Sequence, residues 1–283
     1  MYRPNSRVDS VAAKTYRAGH THIRCRRTMR LVLPIIFVLL TNPVFAGNDH
    51  LVKIATRTGV TMPFYYMKRE GAKATIMLLT GGDGSIWMKN GVPTSKNFLV
   101  RSRDLFAGNG FNVAVIGKPS DTSNLGGIFR TSSEHSEDLR HIAGFLKKDT
   151  GVPVWMVGTS MGTISATSAA IAISCDELSG IVLTSSIVSR KIVGAIPWQN
   201  LEAIRKPVLV VHHEFDECKA CDPREVSEIV AKLKNAPIKK EVYVKGGAEP
   251  VGDPCEPMHK HGFIGLEKEV VDLITSWIKN PVP

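Results

Sequence analysis

No internal repeat and no low-complexity linker interrupts residues 47–283, which excludes a solenoid and a string of tethered modules. A dense basic stripe is missing as well. The formal charge is +10, but residues 1–46 hold eight of the 36 Lys and Arg and one of the 26 acidic residues, and without them the balance falls to +3. Positive charge is thus concentrated at the N-terminus, and nucleic acid is not an expected partner. Nor does the chain offer a comfortable membrane span. Its candidate, Leu31 to Leu40 (LVLPIIFVLL), is short and contains Pro34. That run follows Arg26, Arg27 and Arg30 and precedes Val44-Phe45-Ala46, the order of a basic region, an apolar core and a small-residue cleavage site. The sequence therefore predicts an N-terminal extension and signal peptide over 1–46, cut after Ala46, and a mature domain over 47–283. A periplasmic or secreted location follows, with no stable span after cleavage. An uncleaved anchor is the alternative, Met29 is a second candidate start, and Arg26-Arg27 fits a twin-arginine signal poorly. Cysteine is scarce, with five in the chain, one of them (Cys25) ahead of the cleavage site. The other four, Cys175, Cys218, Cys221 and Cys255, allow three full pairings, and export makes disulfides permissible.

Against these absences stands a regular alternation. Short apolar runs at Lys73–Thr80, Phe111–Ile116, Val152–Val157, Gly180–Leu183, Pro207–Val211 and Glu241–Val244 read as strands. Between them, Asn97–Phe106, Glu134–Lys148, Met161–Ile173, Arg224–Leu233 and Leu266–Lys279 carry helical spacing. Continuous apolar strands separated by helices predict an α/β domain with a mostly parallel central sheet and helices on both faces. Leu51–Arg57 and Thr61–Lys68 read as an antiparallel leader hairpin.

Chemistry is concentrated at four places. The strand ending at Val157 runs into Gly158-Thr159-Ser160-Met161-Gly162, a G-x-S-x-G sequence followed by a helix rich in small residues. Such a turn projects a serine hydroxyl above the sheet, and its glycines avoid Cβ collisions. A serine needs a base, and the base needs an acid to orient it. After the strand Val208–Val211 come His212-His213-Glu214-Phe215-Asp216-Glu217, with Asp216, Glu214 and Glu217 as candidate acids. Before the last helix come His259 and His261, either of which is a candidate base. His212 and His213 suit packing at a strand end, and His135 and His141 suit a solvated or core position on their helix. The fourth place is Thr80-Gly81-Gly82-Asp83-Gly84, after the strand Thr75–Leu79. Its Gly82 N–H, with the Met161 N–H, is the candidate oxyanion hole. Asp83 is a complication there, since a carboxylate opposes an oxyanion unless it points away to cap a turn or meets a cation.

TGGDG, GTSMG, HHEFD and KHGF, in this order over most of residues 51–280, resemble the α/β-hydrolase superfamily, most closely small exported bacterial serine hydrolases of esterase type. The resemblance implies an α/β-hydrolase fold with Ser160 as nucleophile, Asp216 as acid and His261 as base. It implies an ester or related acyl bond of a small molecule as target, and no cofactor or metal. Many members carry His-Gly at the oxyanion loop where this chain has Thr80-Gly81. Only about 23 residues separate Leu183 from Pro207, little more than one crossover, so no large lid is expected.

With those roles, a disulfide from Cys218 to Cys255 would tie the acid loop to the base loop, leaving Cys175 and Cys221 free; Cys221 in place of Cys218 is the alternative. Cys218-x-x-Cys221 with Cys255-x-x-x-His259 is a rival zinc reading. A peptidase or amidase would use the same residues, and a non-catalytic binding protein would keep the fold without using them.

Overall fold

The computed structural model describes residues 49–283; the expected signal peptide and its cleavage site lie outside these residues. The leader hairpin forms as β1 (His50–Arg57) and β2 (Val60–Met67), paired antiparallel. Six more strands join the same sheet: β3 (Thr75–Leu79), β4 (Asn112–Ile116), β5 (Val154–Thr159), β6 (Gly180–Thr184), β7 (Val208–His213) and β8 (Lys239–Val244); Met88–Lys89 and Val92–Pro93 pair in a separate two-stranded ribbon. Their order in the sheet is β1-β2-β4-β3-β5-β6-β7-β8. From β4 to β8 every pairing is parallel. β3 through β7 are buried along their whole length, which is why the sequence shows them as unbroken apolar runs. β8 closes the edge and is largely half-buried, so its apolar signal is shorter.

Helices cover both faces. Leu139, Ile142 and Leu146 of α4 (Ser133–Thr150), Ala166 and Ala169 of α5 (Met161–Ala172) and Ile229 of α6 (Val226–Lys232) pack with Met77, Met156 and Ile181. On the other face, Phe98 and Phe106 of α1 (Phe98–Arg101) and α2 (Arg103–Gly108), with Val270 and Ile274 of α7 (Glu267–Lys279), pack with Ile76, Val157 and Leu209. Each such fully buried Leu, Ile, Val, Phe or Met side chain contributes about 1.5–3 kcal/mol. The strand residues alternate between the two clusters, as the pleat requires.

Two helices differ from the sequence expectation. The predicted Asn97–Phe106 helix is interrupted at the single residue Ser102, whose ψ of 2° separates α1 from α2. The predicted Arg224–Leu233 helix begins as a 3-10 turn at Pro223–Glu225, held by the Asp222 side chain, before α6 starts. A one-turn helix, α3 (Gly127–Arg130), has no counterpart in the expected elements. The crossover from β6 to β7 holds only the 3-10 turns Ile196–Trp198 and Leu201–Ala203, and no lid is inserted there.

Candidate active site

β5 ends at Thr159 and α5 begins at Met161, so Ser160 alone makes the turn, with φ 52° and ψ −127°. A non-glycine residue with positive φ costs on the order of 1–3 kcal/mol and persists only where its surroundings enforce it. They do here. A Cβ on Gly162 would lie 2.0 Å from the Leu79 carbonyl oxygen, and one on Gly158 would lie 2.5 Å from the Gly162 oxygen. Strand, turn and helix are thus packed backbone against backbone, and the G-x-S-x-G glycines are steric necessities.

β7 ends at His213, and Asp216 follows in the loop with its side chain fully buried. Its Oδ1 accepts from the Cys218 N–H at 2.9 Å, and its Oδ2 lies 2.9 Å from His261 Nδ1. His261 therefore carries its Nδ1 proton toward the carboxylate, which leaves Nε2 as the free ring nitrogen. The backbone of that loop is pinned: Ser185 Oγ, just past β6, donates to the His261 carbonyl at 2.6 Å, and Arg101 donates to the Gly262 carbonyl while pairing with Glu267. The rival base, His259, is buried with Nε2 3.6 Å from Glu217, and Glu214 is exposed at the strand end. His212 accepts from the Ser186 N–H at 2.7 Å, and His213 bonds Gly246 and Phe215, so both are occupied by backbone. Burial holds the His212 imidazole down at about 4, with the His261 ring adding to and Asp216 opposing that shift.

Ser160, His261 and Gly82 line one cavity of about 220 Å³. Gly81 brings the β3 loop against the Ser160 turn, since a Cβ there would lie 2.9 Å from Ser160 Cβ. Gly82 has φ +57°, a conformation that glycine adopts freely. Met161 is the first residue of α5, and its N–H belongs to the set with no intrahelical acceptor. Asp83 caps its own turn, accepting from the Ser85 N–H and hydroxyl, and pairs with Lys118 Nζ at 3.0 Å. Partial burial would raise its carboxyl, but the Ser85 bonds and the Lys118 ammonium hold it at about 2. Its charge is met locally, which answers the complication raised by the sequence.

Cys218 and Cys255 form a disulfide that joins the Asp216 loop to the segment before His261. The zinc reading is thereby overturned: two of its sulfurs are bonded to each other, and the potential ligand atoms that converge within 4.8 Å are those of Cys218, Cys221 and His261, without His259. Cys221 is a free, buried thiol, pushed well above its ordinary pKa by burial and by Asp216, and Cys175 is free and exposed. The sequence reading missed Ser185, Arg101 and Arg130. None stands in a motif, and only the tertiary contacts reveal them.

No protein-family model matches the chain, and no curated protein matches its sequence. Solved structures do match. An esterase of Pyrococcus furiosus superposes with a TM-score of 0.60 at 14% identity, over 82% of this chain and 91% of that one. A lidless α/β serine hydrolase from Xanthomonas campestris gives 0.56 at 15%, over 86% and 99%. A cold-adapted esterase from an Arctic intertidal metagenomic library gives 0.56 at 16%, over 81% and 97%. With so little shared sequence, the likeness lies in the sheet and its crossovers, and it identifies this chain as one with the α/β-hydrolase fold.

Proposed function

We propose that this protein is a serine hydrolase that cleaves a carboxylic ester, or a related acyl bond, of a small molecule. The observation that carries this reading is His261, hydrogen-bonded to the buried Asp216 at 2.9 Å and lining the same cavity as the positive-φ Ser160. In the reaction, Ser160 Oγ attacks the carbonyl carbon and its proton passes to His261 Nε2. Asp216 holds the imidazole in the tautomer that accepts there and stabilises the imidazolium that forms. The Gly82 and Met161 N–H groups donate to the oxygen that gains charge. His261 then gives its proton to the leaving alkoxide, and an acyl-enzyme remains on Ser160. Water, deprotonated by His261, attacks that ester; the Ser160 Oγ–acyl bond breaks, His261 returns the proton to Ser160 Oγ, and the carboxylic acid leaves. No cofactor is required for any step.

The cavity supports a small substrate. Its volume of about 220 Å³ is below that of ordinary drug-sized pockets, and the β6–β7 crossover adds no lid to enclose a long chain. The disulfide supports an exported protein, in line with the signal peptide expected over residues 1–46. Among the described residues no helix is long and apolar enough to cross a membrane.

A fluorophosphonate probe tests the nucleophile. The parent protein should label and hydrolyse short p-nitrophenyl esters, and Ser160→Ala should do neither. A parent that never labels, or an alanine variant that labels equally, removes the assignment.

A further inference from the structure

Arg130 sits at the end of α3 and is 1% exposed. Its four recorded hydrogen-bond acceptors are all uncharged. Nε donates to the Leu125 carbonyl at 2.7 Å, Nη1 to Ser165 Oγ at 2.9 Å, and Nη2 to the carbonyls of Thr80 and Gly82 at 3.1 and 3.2 Å. Among the described residues no carboxylate lies within ion-pair distance of it; Asp83, already paired with Lys118, acts on it only at longer range, and burial lowers the guanidinium to about 10. Burying a cation without a paired anion costs several kcal/mol, so its retention calls for a reason.

The acceptors supply one. A peptide unit is a rigid plane with its C=O and N–H on opposite sides. The Thr80 and Gly82 carbonyls belong to the planes before and after the one that carries the Gly82 N–H. The middle plane is held through its own carbonyl, Gly81 O, which accepts from Gly84 N at 3.2 Å. Two adjacent glycines would otherwise leave this loop free to turn its N–H away. Ser165 stands on α5, whose first residue supplies the Met161 N–H. Its hydroxyl accepts from Arg130 and shares a hydrogen bond of 2.9 Å with His135 Nε2. His135 is buried and held at about 3, by burial and by the nearby Arg130 and Arg57 charges, so it adds no second charge beside Arg130.

We infer that Arg130 is the positioning residue of the oxyanion hole, one guanidinium that fixes the Gly82 N–H in the β3 loop relative to the Met161 N–H at the start of α5. The inference rests on the serine-hydrolase reading and deepens it. It assigns Arg130 no contact with substrate. Lysine does not replace it, because a single ammonium on a flexible stem cannot bond a hydroxyl and three carbonyls in a planar fork.

The experiment compares parent, Arg130→Lys, Arg130→Met and Ser165→Ala, each quantified by active-site titration and checked for folding by thermal melt. Loss of one oxyanion donor costs roughly 10²–10³ in kcat. Both Arg130 variants should approach a roughly 10²-fold fall in kcat with KM within about threefold, since the lost interaction belongs to the transition state. The inhibition constant of an alkyl boronic acid, whose tetrahedral adduct uses the hole, should rise in parallel. A residue that served stability alone would lower the melting point and leave both quantities of the titrated enzyme unchanged. If neither Arg130 variant folds, Ser165→Ala decides: it keeps the loop bonds and cuts the tie to α5, and roughly a fivefold loss in kcat at unchanged KM is expected. Parent-level kcat in folded Arg130→Lys, or in Ser165→Ala when the others do not fold, overturns the inference while an active parent leaves the serine-hydrolase reading standing. A parent that neither labels nor turns over ester sinks both.

Discussion

At the scale of single residues, the site depends on where protons are and are not allowed. Asp216 is sealed from solvent with one oxygen on a backbone N–H and the other on His261, so only one imidazole tautomer satisfies it. Two other histidines are kept neutral by burial: His135, held at about 3 behind Ser165, and His212, held at about 4 behind Ser186. Their consequence for stability has a definite sign. In the unfolded chain an imidazole takes a proton near its ordinary pKa of 6.5, whereas these two take it only near 3 and 4 when folded. Between pH 6.5 and those values the unfolded state binds more protons, so stability is complete above 6.5 and declines as the pH falls through the window. The slope reaches about 1.4 kcal/mol per pH unit for each histidine. Urea unfolding at pH 7 and pH 5 checks this: the midpoint should drop on acidification, and His135→Gln should flatten the drop. A midpoint that holds constant or rises contradicts it. Arg130 is the residue-scale feature that no sequence pattern announces. It lies in Gly-Gly-Ile-Phe-Arg-Thr-Ser-Ser, a stretch that reads as a polar loop, and an isolated arginine is by default exposed.

At the scale of elements, the sequence is legible where one force dominates. β3 to β7 are buried on both faces, and hydrophobic burial alone writes their apolar runs. The elbow is legible because sterics admit only glycine at 158 and 162. What the sequence conceals is set by competition between weak local terms. The break at Ser102 and the 3-10 start before α6 turn on one or two backbone angles, and α3 is too short to show a period. The oxyanion loop is intermediate: Gly82 was open to reading from its glycines, but the closer approach at Gly81 and the Lys118 partner of Asp83 come from elements far along the chain. The disulfide is the covalent link between two such elements. It joins loops 37 residues apart, one holding Asp216 and the other leading into His261, with Lys260 Nζ also lying 5.8 Å from the Phe215 ring. Cys255→Ser should destabilise the fold by about 2–4 kcal/mol. It should also slow turnover, because the two loops then hold the His261–Asp216 bond with less restraint. Thermal melts and ester kinetics of that variant, beside the parent in dithiothreitol, check both effects; an unchanged melting point removes the structural role given to the bridge.

At the scale of the whole molecule, topology gathers the site. β3, β5 and β7 run parallel, so the loops that follow them, carrying Gly82, Ser160 and Asp216, all emerge at the same edge of the sheet. His261 comes after β8 and returns across that edge, where Ser185 beyond β6 receives its backbone. Residues spread over some 180 positions thus meet without any one of them being close to another in sequence. The fold is shared with solved structures of 14–16% identity, so it is legible where the substrate is not. The central claim is that Ser160 and His261 act as one unit, oriented by Asp216. The direct measurement is kcat/KM for a short-chain ester with Ser160→Ala, His261→Ala and the double variant, each freed of parent contamination. Members of one catalytic unit are strongly non-additive. The account predicts that each single substitution costs roughly 10⁴-fold or more, and that the double variant is no slower than the worse single one. Losses that multiply in the double variant, or a His261→Ala enzyme near the parent rate, would contradict it.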